Sequence, residues 1–202
     1  MNHWDEKFDS DTYIYGKEAN QYVKSVFSEK VDTPKKVLML AEGEGRNAVY
    51  LATLGYDVTT YDLSKVGIEK ELKLAEEAGV TVDANYGDIT ASDLTAENAY
   101  DYSVNIFGHV PPEGKRGMFN NLIKPLKSEG HSYFELYSTE QLENKTGGPP
   151  NKAMLYEVDE IKGYLEDLPV KIHSLEKRDI ERKEGTAHTG HASVIQGHIE
   201  KL

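Results

Sequence analysis

The sequence has 202 residues, a formal net charge of −12 and no cysteine. This length fits one domain with a substantial core and is short for two domains of ordinary size. The excess of carboxylates disfavours nucleic acid and anionic membranes as partners, because both are bound mainly by Lys and Arg. A chain without cysteine has no disulfide, no thiolate nucleophile and no cysteine-bound zinc.

The N-terminal segment 1–6 lacks the basic stretch and the apolar core of a secretory signal. No apolar run approaches the roughly 20 residues that a membrane span needs. We therefore expect a cytoplasmic protein that has no membrane partner.

The first two thirds of the chain alternate between strand-like and helix-like segments, which is typical of a parallel sheet covered by crossover helices. Helices are predicted over 17–27, 46–54 and 64–78, and from Pro112 to about Ile123. Strands are predicted over 36–41, 57–61, 81–85, 100–107 and 131–137.

The last third has a different pattern. Ser138 and Gln141 resemble a capping box that opens a short helix, and Asp159 is the predicted N-cap of a later one. Two β-like runs, 170–180 and 192–200, are joined by a polar loop. Runs joined so directly pair antiparallel, because a parallel pair needs a longer crossover. The pattern predicts an α/β fold whose parallel sheet ends in an antiparallel hairpin.

A glycine turn after the first predicted strand is the most informative segment. It presents backbone N–H groups at a helix N-terminus, where α/β enzymes hold nucleotide-like cofactors. The spacing Gly43-x-Gly45-x-x-Ala48 satisfies the dinucleotide fingerprint, and Asp62 ends the second strand, where an acidic residue binds ribose hydroxyls. By spacing alone, NAD is a candidate ligand.

Two carboxylates in this turn, Glu42 and Glu44, disfavour a dinucleotide, because its pyrophosphate would lie beside them with Arg46 as the one adjacent cation. S-adenosylmethionine has a sulfonium, an ammonium and one carboxylate, and it avoids this conflict. We expect Glu42 to attract its cationic end, and Arg46 with the helix N-terminus to receive its carboxylate. Asp62 is then expected to bind the ribose and Asp88 the adenine amino group. The residues expected to bind the cofactor are Ala41, Glu42, Gly43, Gly45, Arg46, Asp62, Leu63, Asp88, Ile89 and Ile106.

Several segments make the chain resemble a known family. The segments 4–8, 13–20 and 41–48 are similar to the tellurite-resistance and thiopurine methyltransferase-like branch of the class I S-adenosylmethionine-dependent methyltransferases. The resemblance extends over nearly the whole chain, since the segments 106–112, 147–150 and 188–190 also look like that group. It implies a three-layer αβα sandwich with a seven-stranded, mostly parallel sheet whose last strand is inserted antiparallel. It also implies a single domain over residues 1–202, in which residues 1–30 form a lid or helix over the cofactor.

The chain departs from the usual class I pattern at two positions. Met39 stands where the strand usually has an Asp, and Ala41 stands where a glycine usually starts the turn. The missing Asp removes one expected contact to the methionine portion of the cofactor. Glu42 is our candidate to replace it.

The resemblance implies methyl transfer to a small-molecule acceptor, such as a thiol or a tellurium or selenium oxyanion. In-line displacement needs alignment of the two partners and exclusion of water rather than a catalytic triad. His109 follows the fourth strand, so it is placed as a general base or as an orienting group. By the resemblance, Tyr15 lies near the methionine end and His188 lies in the pocket wall. We expect a monomer or a weak homodimer.

Other interpretations of the same residues stay open. An NAD-dependent oxidoreductase and a non-catalytic adenosyl-ligand binder are the alternative functions. The pair His188 and His191 invites a metal interpretation, but no third ligand is evident nearby and we expect no bound metal. Arg178 and Arg182 are candidates to receive an oxyanion, or are solvated loop residues.

Overall fold

The computed structural model describes residues 2–202 and contains one seven-stranded sheet. Met1, where the expected domain and lid begin, lies outside the described residues. The strands are β1 Lys36–Leu40, β2 Asp57–Asp62, β3 Asp83–Tyr86, β4 Tyr100–Ile106, β5 Leu126–Tyr137, β6 Val170–Glu184 and β7 His188–Lys201.

The strands lie in the order β3-β2-β1-β4-β5-β7-β6. The first five pair parallel with their neighbours, whereas β7 pairs antiparallel with both β5 and β6. The last strand is therefore inserted antiparallel between β5 and β6, which confirms the expected sheet.

Helices cover both faces of the sheet and complete the three-layer sandwich. They are α1 His3–Phe8, α2 Gln21–Val26, α3 Arg46–Thr53, α4 Lys65–Glu77, α5 Lys115–Ile123, α6 Gln141–Asn144 and α7 Val158–Leu165. Along β1, Val37 packs in the core with α2, α3 and α4, and Leu38 packs in the core with α5 and α7. This strand is buried on both faces, as expected for the centre of a parallel sheet. None of the helices within residues 2–202 has the length and apolar character needed to cross a membrane.

Two of the predicted helix starts in the last third of the chain are wrong. Helix α7 is capped by Glu157, which forms a capping box with Glu160, so Asp159 lies inside the first turn. Helix α6 starts at Gln141 without a capping box. The Gln141 side chain instead accepts from the Ser193 N–H at 2.9 Å, and this contact ties the helix to β7.

The predicted helix over 17–27 is shorter in the structure. Asn20 caps α2, since its side chain accepts from the backbone N–H groups of Tyr22 and Val23 at 2.8 and 3.2 Å. By contrast, the predicted cap at Ser64 is confirmed: its Oγ accepts from the Gly67 N–H at 2.9 Å and opens α4.

The prediction of a polar loop between the last two strands is also wrong. Strands β6 and β7 continue to a tight turn at 185–187. Arg182, Glu184 and His188 belong to the strands and are buried, because the N-terminal segment packs against this end of the hairpin. The longer hairpin carries these three polar side chains to the carboxyl edge of the parallel strands.

Candidate functional site

A cleft of about 760 Å³ opens at the carboxyl ends of β1, β2 and β4. Ligands of open α/β sheets bind at this edge, and the volume suits a ligand of the size of a nucleoside derivative. All residues expected to bind the cofactor line the cleft, with the exception of Gly45. Tyr15, His109 and His188 line it as well.

The turn after β1 is built from residues with positive φ. The φ angles of Ala41, Gly43 and Gly45 are 56°, 63° and 87°. A Cβ on Gly43 would lie 3.2 Å from the Phe8 ring, and one on Gly45 would lie 2.4 Å from Glu71 of α4. Gly43 thus lets α1 approach the turn, whereas Gly45 lets α3 and α4 pack closely without lining the cleft.

Glu42 caps α3 from inside the turn. Its Oε1 accepts from the backbone N–H groups of Asn47 and Ala48, each at 2.8 Å. Burial raises the pKa of Glu42 to about 7, although these two amides and Arg46 oppose the shift. Both amides already bind Glu42, so they are not free for a cofactor carboxylate. We expected the N-terminus of this helix to receive that carboxylate, and these two amides do not have that role.

Glu44 points away from the cleft. Its carboxylate accepts from the Ile14 N–H at 2.9 Å and pairs with Lys70 at 2.5 Å. The Ile14 carbonyl accepts from the Thr186 N–H at 3.0 Å, at the turn between β6 and β7. Glu44 therefore holds the N-terminal segment in place, and Glu42 is the glutamate of the turn that lines the cleft.

Asp62 and Asp88, the residues expected to bind the ribose and the adenine, both line the cleft. Asp62 accepts from the backbone N–H groups of Gly43 and Ser64, at 2.8 Å each, one at each carboxylate oxygen. Each oxygen keeps a further acceptor site, so hydroxyl groups of a ligand can still bind. Asp88 is exposed in the cleft and accepts from Thr90, with the buried Ile89 between them.

Residues 2–20, called the lid below, fold over the cleft. Trp4 and Phe8 of α1 stack with ring centroids 5.9 Å apart, and both line the cleft. Tyr15 packs on His188 with centroids 4.3 Å apart. The lid aromatics thus anchor α1 and form the cleft wall at the same time.

His109 has neither ring nitrogen free for catalysis. Its Nε2 accepts from the Tyr137 N–H and its Nδ1 donates to the Phe107 carbonyl, each at 3.0 Å. Burial lowers the pKa of His109 to about 4, so the ring is neutral near pH 7. The lone pair that a general base needs is used by the Tyr137 amide. The geometry supports a role in positioning and contradicts the general-base interpretation.

His188 is buried at the lid end of the cleft. Its Nδ1 has no hydrogen-bond partner within residues 2–202 and lies 3.7 Å from the Glu184 carboxylate. Burial lowers the pKa of His188 to about 4. His188 is therefore a neutral imidazole whose buried Nδ1 faces the Glu184 carboxylate. Arg46 contacts the same carboxylate at 3.1 Å.

Sequence reasoning missed a buried polar network behind this site. Asn20 Nδ2 donates to the carboxylates of Glu135 and Glu184, at 2.9 Å each. Burial raises the pKa of Glu135, while hydrogen bonds from Gln196 and Asn20 oppose the shift. The sequence signal that could have revealed this network is Glu135, a carboxylate inside the otherwise apolar run 133–137. The network joins the lid to β5 and β6.

The remaining candidate cations do not line the cleft. Arg182 is buried behind Tyr137, whose hydroxyl it contacts, and it donates to the Thr146 carbonyl at 2.8 Å. Arg178 is exposed and pairs with Glu176 at 2.9 Å. Neither arginine is a cleft-lining residue.

The metal pair considered at His188 and His191 does not form. His188 faces the cleft, whereas His191 is exposed and contacts Glu181 at 3.2 Å. The two side chains point to different faces of β7, because residues three apart on a strand alternate.

The charge of the cleft favours a cation. Among residues 2–202, the Asp, Glu, Lys and Arg side chains that line it are Glu42, Asp62, Asp88, Glu113, Lys7 and Arg46. Carboxylates thus outnumber cations, and Arg46 is already paired with Glu184. A ligand with net positive charge fits this lining better than a pyrophosphate does.

Known proteins resemble the chain in sequence and in fold. It is 35% identical over 80 residues to a protein of Haemophilus influenzae named as a probable S-adenosyl-L-methionine-dependent methyltransferase TehB, a match that covers 40% of this chain and 27% of that protein. The chain thus spans about a quarter of the length of this relative.

Two solved structures show the same fold. The TehB structure from Haemophilus influenzae has a TM-score of 0.71 at 19% identity, covering 99% of this chain and 66% of that one. A SAM-dependent methyltransferase from Aquifex aeolicus has a TM-score of 0.64 at 16% identity, covering 98% and 96%.

A family model gives the assignment over most of the chain. The model described as tellurite resistance protein TehB matches residues 3–173. This range includes the turn after β1, both aspartates and His109, and it agrees with the resemblance seen in the sequence. The chain therefore belongs to the TehB tellurite resistance protein family.

Proposed function

We propose that the chain transfers a methyl group from S-adenosylmethionine to a small-molecule acceptor. One observation carries the proposal: four consecutive parallel strands end at one cleft and bring Arg46, Asp62, Asp88 and Ile106 around it. The net negative lining supports a cationic cofactor. The name of the Haemophilus influenzae relative supports the same activity.

The residues of the cleft fit this cofactor. The free acceptor sites of Asp62 suit the ribose hydroxyls, and Asp88 beside the buried Ile89 suits adenine. We assign Arg46 and the lid residue Tyr15, which both line the cleft, to the methionine end of the cofactor. When bound, S-adenosylmethionine supplies an electrophilic methyl group on a sulfonium.

The acceptor end of the cleft is aromatic rather than cationic. It is lined by Phe107, His109, Tyr137, Pro149 and His188. The lid and this wall exclude water, and His188, which lines the cleft, can orient a polar acceptor or take its proton through its other ring nitrogen, Nε2. These groups favour a soft, polarisable acceptor such as a thiol. A tellurium or selenium oxyanion is the second candidate, supported by the cation Lys7 at the cleft.

Calorimetry with S-adenosylmethionine, S-adenosylhomocysteine and NAD tests the cofactor. We expect both adenosyl ligands to bind and NAD to bind weakly or not at all. Binding of NAD alone would support the alternative oxidoreductase and overturn the proposal.

Release of S-adenosylhomocysteine over a panel of thiols, tellurite, selenite, amines and halides tests the reaction. We expect turnover with at least one thiol or chalcogen oxyanion. Cofactor binding without turnover on any acceptor would identify a non-catalytic adenosyl-ligand binder instead.

A further inference from the structure

Three histidines on three neighbouring strands meet at the end of the sheet opposite to the cleft. They are His131 of β5, His198 of β7 and His173 of β6. One ring nitrogen from each lies within 4.8 Å of the other two. The cleft lies at the other end of β5, at Tyr137. The cluster therefore has no part in the site described above.

The strand register explains why the histidines meet. Tyr133 of β5 is opposite His198 of β7, and His131 is opposite Glu200. Because side chains two apart on a strand share a face, all four point the same way. Strand β6 has a bulge between Ile172 and Ser174, which sets His173 beside His198. The His173 and His198 rings stack with centroids 4.5 Å apart and an interplanar angle of 15°.

The nitrogen positions are close to those of metal ligands. The Nε2 of His198 lies 3.0 Å from the Nδ1 of His131. Two nitrogens at about 2.0–2.1 Å from one tetrahedral Zn²⁺ are about 3.3–3.4 Å apart. In the metal-free protein one of these nitrogens carries a proton that the other accepts, and a bound ion would take the place of that proton.

A carboxylate completes the set. The Glu200 Oε2 lies 2.5 Å from the Nε2 of His173. Carboxylates commonly hold the second nitrogen of a metal-binding histidine and fix its tautomer, and they can also bind the metal directly. The side chains of His173 and Glu200 are 29% and 20% exposed, so an ion can enter from solvent.

We propose that His131, His173 and His198, assisted by Glu200, bind one divalent transition-metal ion of the Zn²⁺ type. Imidazole nitrogens with one carboxylate suit Zn²⁺, Ni²⁺ or Cu²⁺ better than Mg²⁺ or Ca²⁺. The ion joins β5, β7 and the edge strand β6 at the base of the hairpin. The other end of that hairpin carries Glu184 and His188, roughly 35 Å away at about 3.3 Å per residue.

Zn²⁺ titration by calorimetry on tag-free, chelator-treated protein tests the proposal. We expect one ion per chain, with binding weakened more than about 10-fold by His173→Ala or His131→Ala. Glu200→Gln should weaken it by roughly 10- to 100-fold, as for other residues that orient metal ligands. His191→Ala is the matched control, because His191 is an exposed histidine of β7 beside two carboxylates, Asp179 and Glu181. The His191→Ala variant should bind Zn²⁺ with the affinity of the wild type.

Two further measurements separate a built site from surface binding. Co²⁺ should give the visible absorption of a tetrahedral site in the wild type and not in His173→Ala. Zn²⁺ should raise the Tm of the wild type and leave that of His173→Ala unchanged, while the metal-free variant melts like the wild type. No stoichiometric binding, or binding that survives both His173→Ala and His131→Ala, would overturn the proposal. The affinity for S-adenosylmethionine should be independent of Zn²⁺, so the metal site and the proposed activity stand or fall separately.

Discussion

At the level of single residues, the polar side chains of the cleft first satisfy the backbone of the cleft itself. Glu42 binds two amides of α3, Asp62 binds the amides of Gly43 and Ser64, and His109 binds the amide of Tyr137. A buried N–H group without a partner costs about 1–3 kcal/mol, so these contacts fix the turn before any ligand arrives. Residues that resemble catalytic groups by position, such as His109, can thus be wholly occupied by the fold.

Asp62→Ala tests the ribose assignment. We expect S-adenosylmethionine binding to weaken by about 1–3 kcal/mol, because ribose hydroxyls would lose their acceptor. Calorimetry measures this, with circular dichroism to check that the fold is intact. Asp83→Ala, an exposed carboxylate of β3 outside the cleft, is the control and should bind like the wild type. Unchanged affinity in a folded Asp62→Ala protein would show that the ribose lies elsewhere.

Glu42→Gln tests the buried carboxylate through its pH dependence. Burial raises the pKa of Glu42 from its ordinary value of 4.5 to about 7. The folded state therefore holds this proton more tightly than the unfolded state, and its stabilising effect is complete below pH 4.5 and is lost as the pH rises to about 7. The loss amounts to about 3 kcal/mol at about 1.4 kcal/mol per pKa unit.

The amide oxygen that Glu42→Gln introduces can still accept from both α3 amides, and the new side chain does not titrate. Urea unfolding between pH 4.5 and 8 should therefore show a smaller fall in stability for Glu42→Gln than for the wild type. Glu113→Gln removes an exposed carboxylate and is the control. Parallel stability curves for Glu42→Gln and the wild type would contradict the assigned pKa.

At the level of elements, the sequence predicts the strands and helices of the sheet well and the ends of the hairpin poorly. The apolar runs were sufficient to predict the parallel strands. The direct link between the last two runs was sufficient to predict an antiparallel end of the sheet. Arg182, Glu184 and His188 indicated a loop, because polar residues usually face solvent. Their burial depends on Asn20 and Arg46, which are distant in the sequence. Local patterns do not contain such long-range pairing.

Gly45→Ala tests the packing of α3 on α4. Gly45 has a φ of 87°, and a Cβ there would lie 2.4 Å from Glu71. We expect a loss of stability of more than about 1 kcal/mol from the backbone conformation alone. Gly163→Ala in α7 is the matched control, since a Cβ there meets nothing within 4 Å. That variant should gain about 0.5–1 kcal/mol in urea unfolding. Equal effects of the two substitutions would contradict the close approach of the helices.

At the level of the whole molecule, the lid connects distant parts of the chain around the cleft. Lys70 of α4 donates to the carbonyls of Phe8, Ser10 and Thr12, at 3.2, 3.0 and 2.7 Å, and pairs with Glu44. One side chain thus fastens the lid to the turn that follows β1. The lid also contacts the end of the hairpin. Closure of the lid over a ligand therefore involves elements at both edges of the sheet.

Lys70→Met should open the lid without unfolding the domain. The methionine keeps most of the apolar stem but loses the charged hydrogen bonds, which are worth about 1.5–3 kcal/mol. Amide hydrogen exchange should accelerate more strongly in residues 3–15 than in the core strands, because local opening of the lid exposes only the lid amides. The affinity for S-adenosylmethionine should fall, because the closed lid, which is the state that binds the cofactor, becomes less populated. Lys73→Met, one turn along α4 and exposed, should leave both readouts unchanged. Equal acceleration of exchange in the core strands would show that Lys70 stabilises the fold rather than the lid.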